Sequence, residues 1–421
     1  MVGINNGKNI YEKTKLVKEY EEISREQKII TQRTVYPIIK EKITTFSEKG
    51  GLNIISLMGL RGTGKTTILN TISKDFDALY TSGDFLNNYN IEIKELVEIA
   101  DNLKRKIIII DEITYLKDWE MQLKIWGDLY QKYLFIISSS SALNLKELSA
   151  DLSRRIDLYK IDPMSFSEFL FIKYNIKLDI SEELFNTIFK EKNVKKKFEN
   201  LSKLTLKLPK ELREYYEEFK YKQFPFLLNE EFPLSKVKDV IDKVIYKDIP
   251  KHDTLYSSNL PKIEKILRFL TVNEKTNYDN ISRNTGIKRD LVEKIFNLLV
   301  SSQLIFVAKD IVPTREFKIT KKILFNVPSL RFSLDQIHLD SIIGFGREDM
   351  FTYIIRKLNL DYAYNYKQKD FDFMVGNLKF EVGGKNKELK NDLIVISEYS
   401  KLKIKENSLE IPIELFSLLI K

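Results

Sequence analysis

An α/β fold built on a parallel sheet is what this sequence predicts, and three observations predict it. Apolar, β-branched runs of strand length, Asn53–Met58, Ile107–Asp111 and Tyr133–Ile137, recur between helical segments. The first run leads straight into a glycine-rich turn, Gly59-Leu60-Arg61-Gly62-Thr63-Gly64-Lys65, with Thr66 opening a helix. The second ends in paired acids, Asp111-Glu112. Strands of a parallel sheet are covered on both faces, so they read as unbroken apolar runs rather than alternating ones.

Taken in order, the residues before about Gly50 carry a mixed-charge helical pattern. Leu16, Tyr20, Ile23, Ile29 and Ile30 mark its apolar side, and Arg33 to Ile43 continues it. The core then alternates strand and helix. Strand Asn53–Met58 precedes a helix from Thr66, a short strand at Leu79–Thr81 and a helix at Ile93–Leu103. Strand Ile107–Asp111, helix Trp119–Gln131, strand Tyr133–Ile137, a helix from Asn144 and strand Ile156–Tyr159 complete it. Right-handed βαβ crossovers then give a doubly wound sheet with its ligand at the carboxyl ends of the strands.

The chemistry at those ends is specific. Gly59 to Thr66 is a complete G-x-x-x-x-G-K-[ST] loop between a strand and a helix, the mark of a P-loop NTPase core. Its glycines let successive N–H groups converge on one anion, and the helix N-terminus adds partial positive charge. Gly59, Leu60, Arg61, Gly62, Thr63, Gly64, Lys65, Thr66 and Thr67 are therefore the expected nucleotide cradle. Lys65 reaches the β- and γ-phosphates, and the Thr66 hydroxyl ligates Mg²⁺. Asp111 holds the same Mg²⁺ through water, and Glu112 orients and deprotonates the attacking water. ATP is the expected nucleotide, with GTP left open. Ser138 or Ser139, at the end of the third strand, is placed to sense the γ-phosphate, although serines also end strands and cap helices.

The order of motifs resembles one family. The loop at Gly59–Thr66, then Asp111-Glu112-Ile113, Ser138–Ser141, Arg154-Arg155 and Pro163-Met164-Ser165-Phe166-Ser167-Glu168-Phe169 follow one another. This is similar to the prokaryotic AAA+-type ATPases of the additional-strand, catalytic-glutamate class. The resemblance implies a nucleotide-sensing role for Arg155, with Arg154 standing where those relatives carry glycine. It extends to Gln223-Phe224-Pro225, where they carry Gly-Gly-Phe-Pro. It also implies that the N-terminal helix lies against the edge of the base.

With 421 residues, about two to four domains are expected. Residues 1–48 form an N-terminal helical segment and 49–164 the ATPase core. Residues 165–260 lose the strand signal, with amphipathic stretches at Ser167–Tyr174, Glu182–Phe189 and Val237–Tyr246, and read as a helical lid. Its Lys195-Lys196-Lys197 run is either a solvated face or a track for a phosphate backbone. Residues 261–330 read as a winged helix-turn-helix: helices Ile263–Leu270, Asp279–Arg283 and Arg289–Leu299, a turn at Gly286, and wing strands Gln303–Val307 and Glu316–Thr320. Lys288, Arg289 and Lys294 lie on or near its recognition helix.

Residues 331–421 read as a small α/β nuclease-like domain. Glu348 on a helix, with Asp372 and Glu381 on strands turned at Gly376-Asn377, resembles the PD-(D/E)XK arrangement and is a candidate second Mg²⁺ site. The lysine expected two residues after Glu381 is Gly383. Lys385 is the nearest lysine and would need a bulge at Gly383-Gly384, so the expected domain is degenerate and does not cut.

The rest of the composition narrows the class. There are no cysteines and two histidines, which excludes thiolate metal sites and leaves Mg²⁺ on oxygen ligands. At 43% hydrophobic and 31% charged, with no apolar run near ~18 residues and no signal-peptide core, the chain reads as cytoplasmic and without membrane contact. The net charge of +9 permits backbone-dominated DNA binding. The leading expectation is an ATP-driven switch acting on or with nucleic acid. The alternatives are a nucleotide-controlled regulatory or scaffold protein, with a protein partner or as a homo-oligomer, and an ATP-gated endonuclease.

Overall fold

The structure is a computed structural model that describes residues 3–25, 33–51, 53–140, 156–252, 257–311, 320–366, 370–384 and 392–421. It divides into two compact units, Met1–Asp162 and Pro163–Lys421.

In the first unit, five strands among the described residues form one parallel sheet. They are β1 (Ile54–Met58), β2 (Leu79–Ser82), β3 (Ile107–Asp111), β4 (Leu134–Ser139) and β5 (Ile156–Lys160), in the order β2-β3-β4-β1-β5. Central β1 pairs with β4 in the register Ile54↔Phe135 and with β5 in the register Ile54↔Ile156. The doubly apolar strands are explained by two cores, one on each face of the sheet. Ile54, Ile108, Ile110, Phe135 and Ile137 pack on one side with Leu96, Leu123 and Trp126. Ile55, Leu57, Ile107, Ile109 and Ile136 pack on the other with Ile39, Ile43, Ile68 and Leu69. Successive side chains point to opposite faces, so each strand serves both layers. Strand β4 runs two residues past Ile137, which carries the serines into the ladder at Met58↔Ser139.

The N-terminal helix Gly3–Arg25 belongs to this unit. Val17 enters the core, Tyr20 stacks on Phe85 with ring centroids 4.3 Å apart, and Arg105 pairs with Glu21 at 2.7 Å. A second helix, Val35–Lys49, buries Tyr36, Ile39 and Ile43 at i, i+3, i+7 spacing.

The second unit opens with helices. Phe166–Tyr174 begins with a reciprocal cap between Ser165 and Glu168, the arrangement that satisfies two otherwise unpaired N–H groups. Ser181–Phe185 continues as a wider π turn over Asn186–Lys190. This helical segment is built into the same unit as the C-terminus, where Ser165 Oγ donates to the Lys421 carbonyl at 3.0 Å.

Helices Leu260–Val272, Tyr278–Thr285 and Arg289–Ser301 follow, with a left-handed Gly286 ending the second. Beside them lies a small antiparallel sheet of β6 (Lys275–Thr276), β7 (Ile305–Val307) and β9 (Lys321–Phe325). The strand returning to β7 is thus Lys321–Phe325, later in the chain than the expected Glu316–Thr320, of which residues 316–319 lie outside the described residues. Ile323, Leu324 and Phe325 are buried, and their apolar run sets the register Ile305↔Phe325.

A larger mixed sheet ends the unit. It contains β8 (Lys309–Asp310), β10 (Tyr362–Tyr364), β11 (Phe373–Val375), β12 (Leu378–Gly383), β13 (Ile394–Ser397), β14 (Lys403–Lys405) and β15 (Ser408–Pro412). Their order is β14-β15-β13-β12-β11-β10-β8. Strands β11 and β12 form the expected hairpin at Gly376-Asn377, and helix Leu339–Lys357 packs on β12 and β9. No helix among the described residues is long and apolar enough to cross a membrane.

One buried ion pair joins several of these elements. Arg331 and Asp349 are both fully buried, with Nε–Oδ2 at 2.6 Å and Nη2–Oδ1 at 2.9 Å. Arg331 also donates to the Thr271 carbonyl, and Asp349 accepts the Phe325 N–H. Arg331→Leu leaves a buried carboxylate without its cation, which costs about 3–5 kcal/mol. Urea unfolding of the full chain is expected to show that loss in the transition of the second unit. Arg331→Leu combined with Asp349→Asn is expected to lose less.

Candidate functional site

The phosphate loop is set between the end of β1 and helix Lys65–Asp75. Gly62 and Gly64 have φ of 80° and 93°, a left-handed backbone that side-chain-bearing residues rarely adopt. Gly59 meets a different constraint: a Cβ there would lie 2.0 Å from the Ile161 carbonyl oxygen. The loop can therefore start against β5 only with glycine. Thr63 is buried, and its hydroxyl donates to the Leu60 carbonyl at 2.9 Å. Leu60 is buried, while Arg61 and Thr67 are partly exposed.

Lys65 curls back over the loop, and its ammonium donates to the Gly59 carbonyl at 2.8 Å and the Leu60 carbonyl at 3.1 Å. Thr66 Oγ1 donates to Asp111 Oδ2 at 2.7 Å, which brings together two residues 45 apart in sequence. Asp111 ends β3, buried, and takes two further donors: Tyr80 OH at 3.1 Å and Ser138 Oγ. Burial, and then the nearby charge of Glu112, pushes the Asp111 carboxyl above its ordinary range. Thr66 and Asp111 supply hard oxygen donors side by side, which suits Mg²⁺ completed by waters and phosphate oxygens.

Glu112 breaks the strand. Its backbone is left-handed, with φ 51° and ψ 58°, which turns its side chain away from the alternation of β3. Its N–H donates to Ser138 Oγ at 2.9 Å, and its carboxylate accepts the Ser140 N–H at 3.2 Å. Ser138 thus donates to the Asp111 carboxylate and accepts the Glu112 backbone N–H, linking the two residues through one hydroxyl. Ser139 lies in the β4 ladder, and its carbonyl accepts the Gly59 N–H at 3.3 Å. Arg154, Arg155, Ser141 and the expected helix from Asn144 lie outside the described residues.

Two neighbours of the loop carried no motif. Tyr80 on β2 sits among apolar residues, and burial followed by the Asp111 charge raises its phenol. Arg33 is buried in front of helix Val35–Lys49, with Nη1 on the Thr63 carbonyl and Nη2 on the Asp162 carbonyl at 2.8 Å. In the sequence it is one charge within a charged helical stretch, which gives no signal of burial.

The candidate second metal site comes out differently. Among the described residues no three acids or histidines gather in a way that could hold a metal ion. Glu348 lies 2.6 Å from the ammonium of Lys322, a fully buried lysine on β9 that also pairs with Glu274. Asp372 precedes β11, and its carboxylate accepts the Val382 N–H at 2.9 Å. Glu381 is half-buried on β12. Gly383 pairs regularly with Ser397, so the strand does not bulge there, and Lys385 lies outside the described residues. The cation among these acids is a lysine from a distant strand.

The basic stretches are also partly committed. Lys197 is buried and donates to the Ile188 carbonyl at 2.6 Å, so the Lys195-Lys196-Lys197 run is not wholly a solvated face. Lys196 lies 3.3 Å from Glu191, and Arg289 lies 3.0 Å from Asp279 and 3.6 Å from Glu293.

Residues 52–170 match the family model described as an AAA domain, which spans β1 through the capped start of the second unit. The match supports an ATPase-type core. Residues 228–340 match a domain of unknown function, DUF8612. The uncharacterized protein MJ1637 of Methanocaldococcus jannaschii is 28% identical over 298 residues, 65% of this chain and 60% of its own length. MJ1544 of the same organism is 27% identical over 304 residues, 68% of this chain and 60% of its own length. The chain therefore spans about 60% of the length of these curated relatives.

Among solved structures, AMPPCP-bound DnaA from Aquifex aeolicus aligns at 18% identity, covering 66% of this chain and 90% of that one, with a TM-score of 0.28. Domain III of the Thermotoga maritima replication initiation protein DnaA aligns at 16% identity, covering 50% and 84%, with a TM-score of 0.29. Superpositions this loose leave the function to the local geometry of the site.

The Lys322 cluster has a measurable pH signature. Burial raises Glu348, Lys322 opposes it, and Glu274 and Asp372 add to the rise, which brings the carboxyl up to about 8 from 4.5. The folded state then holds a proton that the unfolded state has released, so stability falls as pH climbs from 4.5 to about 8. Urea midpoints of the second unit across that window are expected to decline for the parental protein and to decline less for Glu348→Gln.

Proposed function

We propose that the first unit binds ATP with Mg²⁺ and hydrolyses it, and that the cycle works as a molecular switch. The observation that carries this reading is the joining of Lys65, Thr66, Asp111, Ser138 and Glu112 at the carboxyl ends of three adjacent parallel strands. When bound, Mg²⁺ would be held by the Thr66 hydroxyl and, through water, by Asp111, and would offset charge on the phosphates. Lys65 leaves the Gly59 and Leu60 carbonyls for the β- and γ-phosphate oxygens. Glu112 takes the proton of the attacking water; the Ser140 N–H holds its carboxylate, and Ser138 holds its backbone. Arg155 is assigned a nucleotide-sensing role by the family resemblance alone.

In the second unit, we read the three helices with β6, β7 and β9 as a winged helix. The nuclease-like sheet beyond is read as a non-cleaving output domain. The observation favouring a non-cleaving domain is Lys322, whose single buried ammonium lies between Glu274 and Glu348. Nucleic acid is the proposed target, bound through its phosphates. Arg289 is paired with two acids, which favours backbone contact over base reading. A protein partner or a second copy is the competing target.

Lys65→Ala is expected to abolish or greatly weaken nucleotide binding. Glu112→Gln should bind ATP near the parental affinity and lower turnover by about 100-fold or more, the scale of general-base loss. Filter binding and phosphate release, run with ATP and GTP, check both and establish the base preference. Parental turnover in both variants would reject the site.

DNA should raise the ATPase rate at low salt, and its affinity should drop steeply between 50 and 200 mM salt, about 10³-fold or more if six or more phosphates are contacted. A rate indifferent to single- and double-stranded DNA would favour the regulatory or scaffold reading.

A further inference from the structure

We propose that Arg33 is a positioning residue of the phosphate loop, one that sets the direction of the Gly64 N–H; the inference rests on the nucleotide-binding reading above. Its guanidinium is buried and spans two backbone carbonyls: Thr63 within the loop, and Asp162 at the end of the first unit, at 2.8 Å. Thr63 is the residue before the left-handed Gly64, which opens helix Lys65–Asp75.

A trans peptide unit is planar, and its C=O and N–H point in opposite directions. Holding the Thr63 carbonyl toward Arg33 therefore turns the Gly64 N–H to the opposite side. That N–H is among the free donors at the start of the helix, where an anion is bound. Glycine at 64 has the freedom to let this peptide rotate, because it lacks the Cβ that would restrict it. Lysine in place of Arg33 could hold one carbonyl. The planar fork of arginine holds two in a fixed relation.

The second anchor supplies the reference point. Asp162 lies two residues past the end of β5, and the intervening Ile161 donates its N–H to the Met58 carbonyl at 2.7 Å. The Ile161 carbonyl is the group that Gly59 approaches too closely for any side chain. The loop is thus fixed to one strand end twice, through Gly59 where it starts and through Arg33 near its far end. Arg33 touches neither phosphate nor metal by this assignment, and it acts through the peptide it orients.

The test is nucleotide affinity in the full chain, measured by titration calorimetry with ADP and with a non-hydrolysable ATP analogue. Parental protein, Arg33→Ala, Arg33→Lys and Lys65→Ala are compared. Loss of a charge-assisted bond that orients a donor should weaken both nucleotides by about 10- to 100-fold in Arg33→Ala. Arg33→Lys should recover part of that loss. Guanidinium at low millimolar concentration should restore binding to Arg33→Ala and leave Lys65→Ala unchanged, a response that a general loss of packing would not give. Parental affinity in Arg33→Ala beside a weak Lys65→Ala overturns this proposal and leaves the nucleotide reading standing. If Arg33→Ala does not fold, Arg33→Lys decides: full parental affinity overturns the proposal, and an intermediate loss supports it. Failure of the parental protein to bind either nucleotide overturns both readings.

Discussion

The carboxylate of Asp111 is the point on which the first unit converges. Buried at the end of β3, it accepts hydrogen bonds from Thr66 at the start of a helix, Tyr80 on β2 and Ser138 on β4. An unpaired charge at that depth would be too costly to keep, so each of these elements must arrive in register for the acid to be tolerated. The dependence runs both ways. The same three donors that make the carboxylate tolerable also fix the relative heights of the strand ends, and so define the floor on which the phosphate loop rests.

The second unit also buries charged groups. Arg331 and Asp349 form one fully buried pair, and Lys322 lies between Glu274 and Glu348 in another cluster. The second cluster takes its members from well-separated parts of the chain. A third, Lys220 with Glu217 and Glu398, joins a helix before the small sheet to the end of β13, and Glu398 also meets Arg347 at 2.5 Å. Buried ion pairs contribute little net stability and impose geometry. Here they tie helical segments to the C-terminal sheet within the unit Pro163–Lys421.

The sequence made the parallel core legible because its signals are local. Strands covered on both faces announce themselves as apolar runs, and the Gly59–Thr66 spacing is a short local motif. The helix start at Ile93 and the hairpin at Gly376-Asn377 follow from short-range rules in the same way, and the helix expected from Thr66 begins one residue earlier, at Lys65. What stayed hidden depends on contacts across long separations. Arg33 and Tyr80 gain their places beside Thr63 and Asp111 only when the sheet forms. Nothing near Lys322 in sequence announces that Glu274 and Glu348 close on it. Strand β9 was missed for a related reason: its apolar residues follow two lysines, and the pairing with β7 rather than local composition sets where it begins.

Glu112 carries a consequence of its own. A glutamate held at φ 51° and ψ 58° occupies a conformation that costs roughly 1–2 kcal/mol for a residue with a Cβ. Glycine or asparagine would sit there more comfortably, so folding stability and the acid pull this position in opposite directions. If Glu112 is the base proposed above, a search of position 112 for thermal stability alone would drift toward residues that cannot take a proton from water. Under that assignment the sturdier molecule would be the inert one.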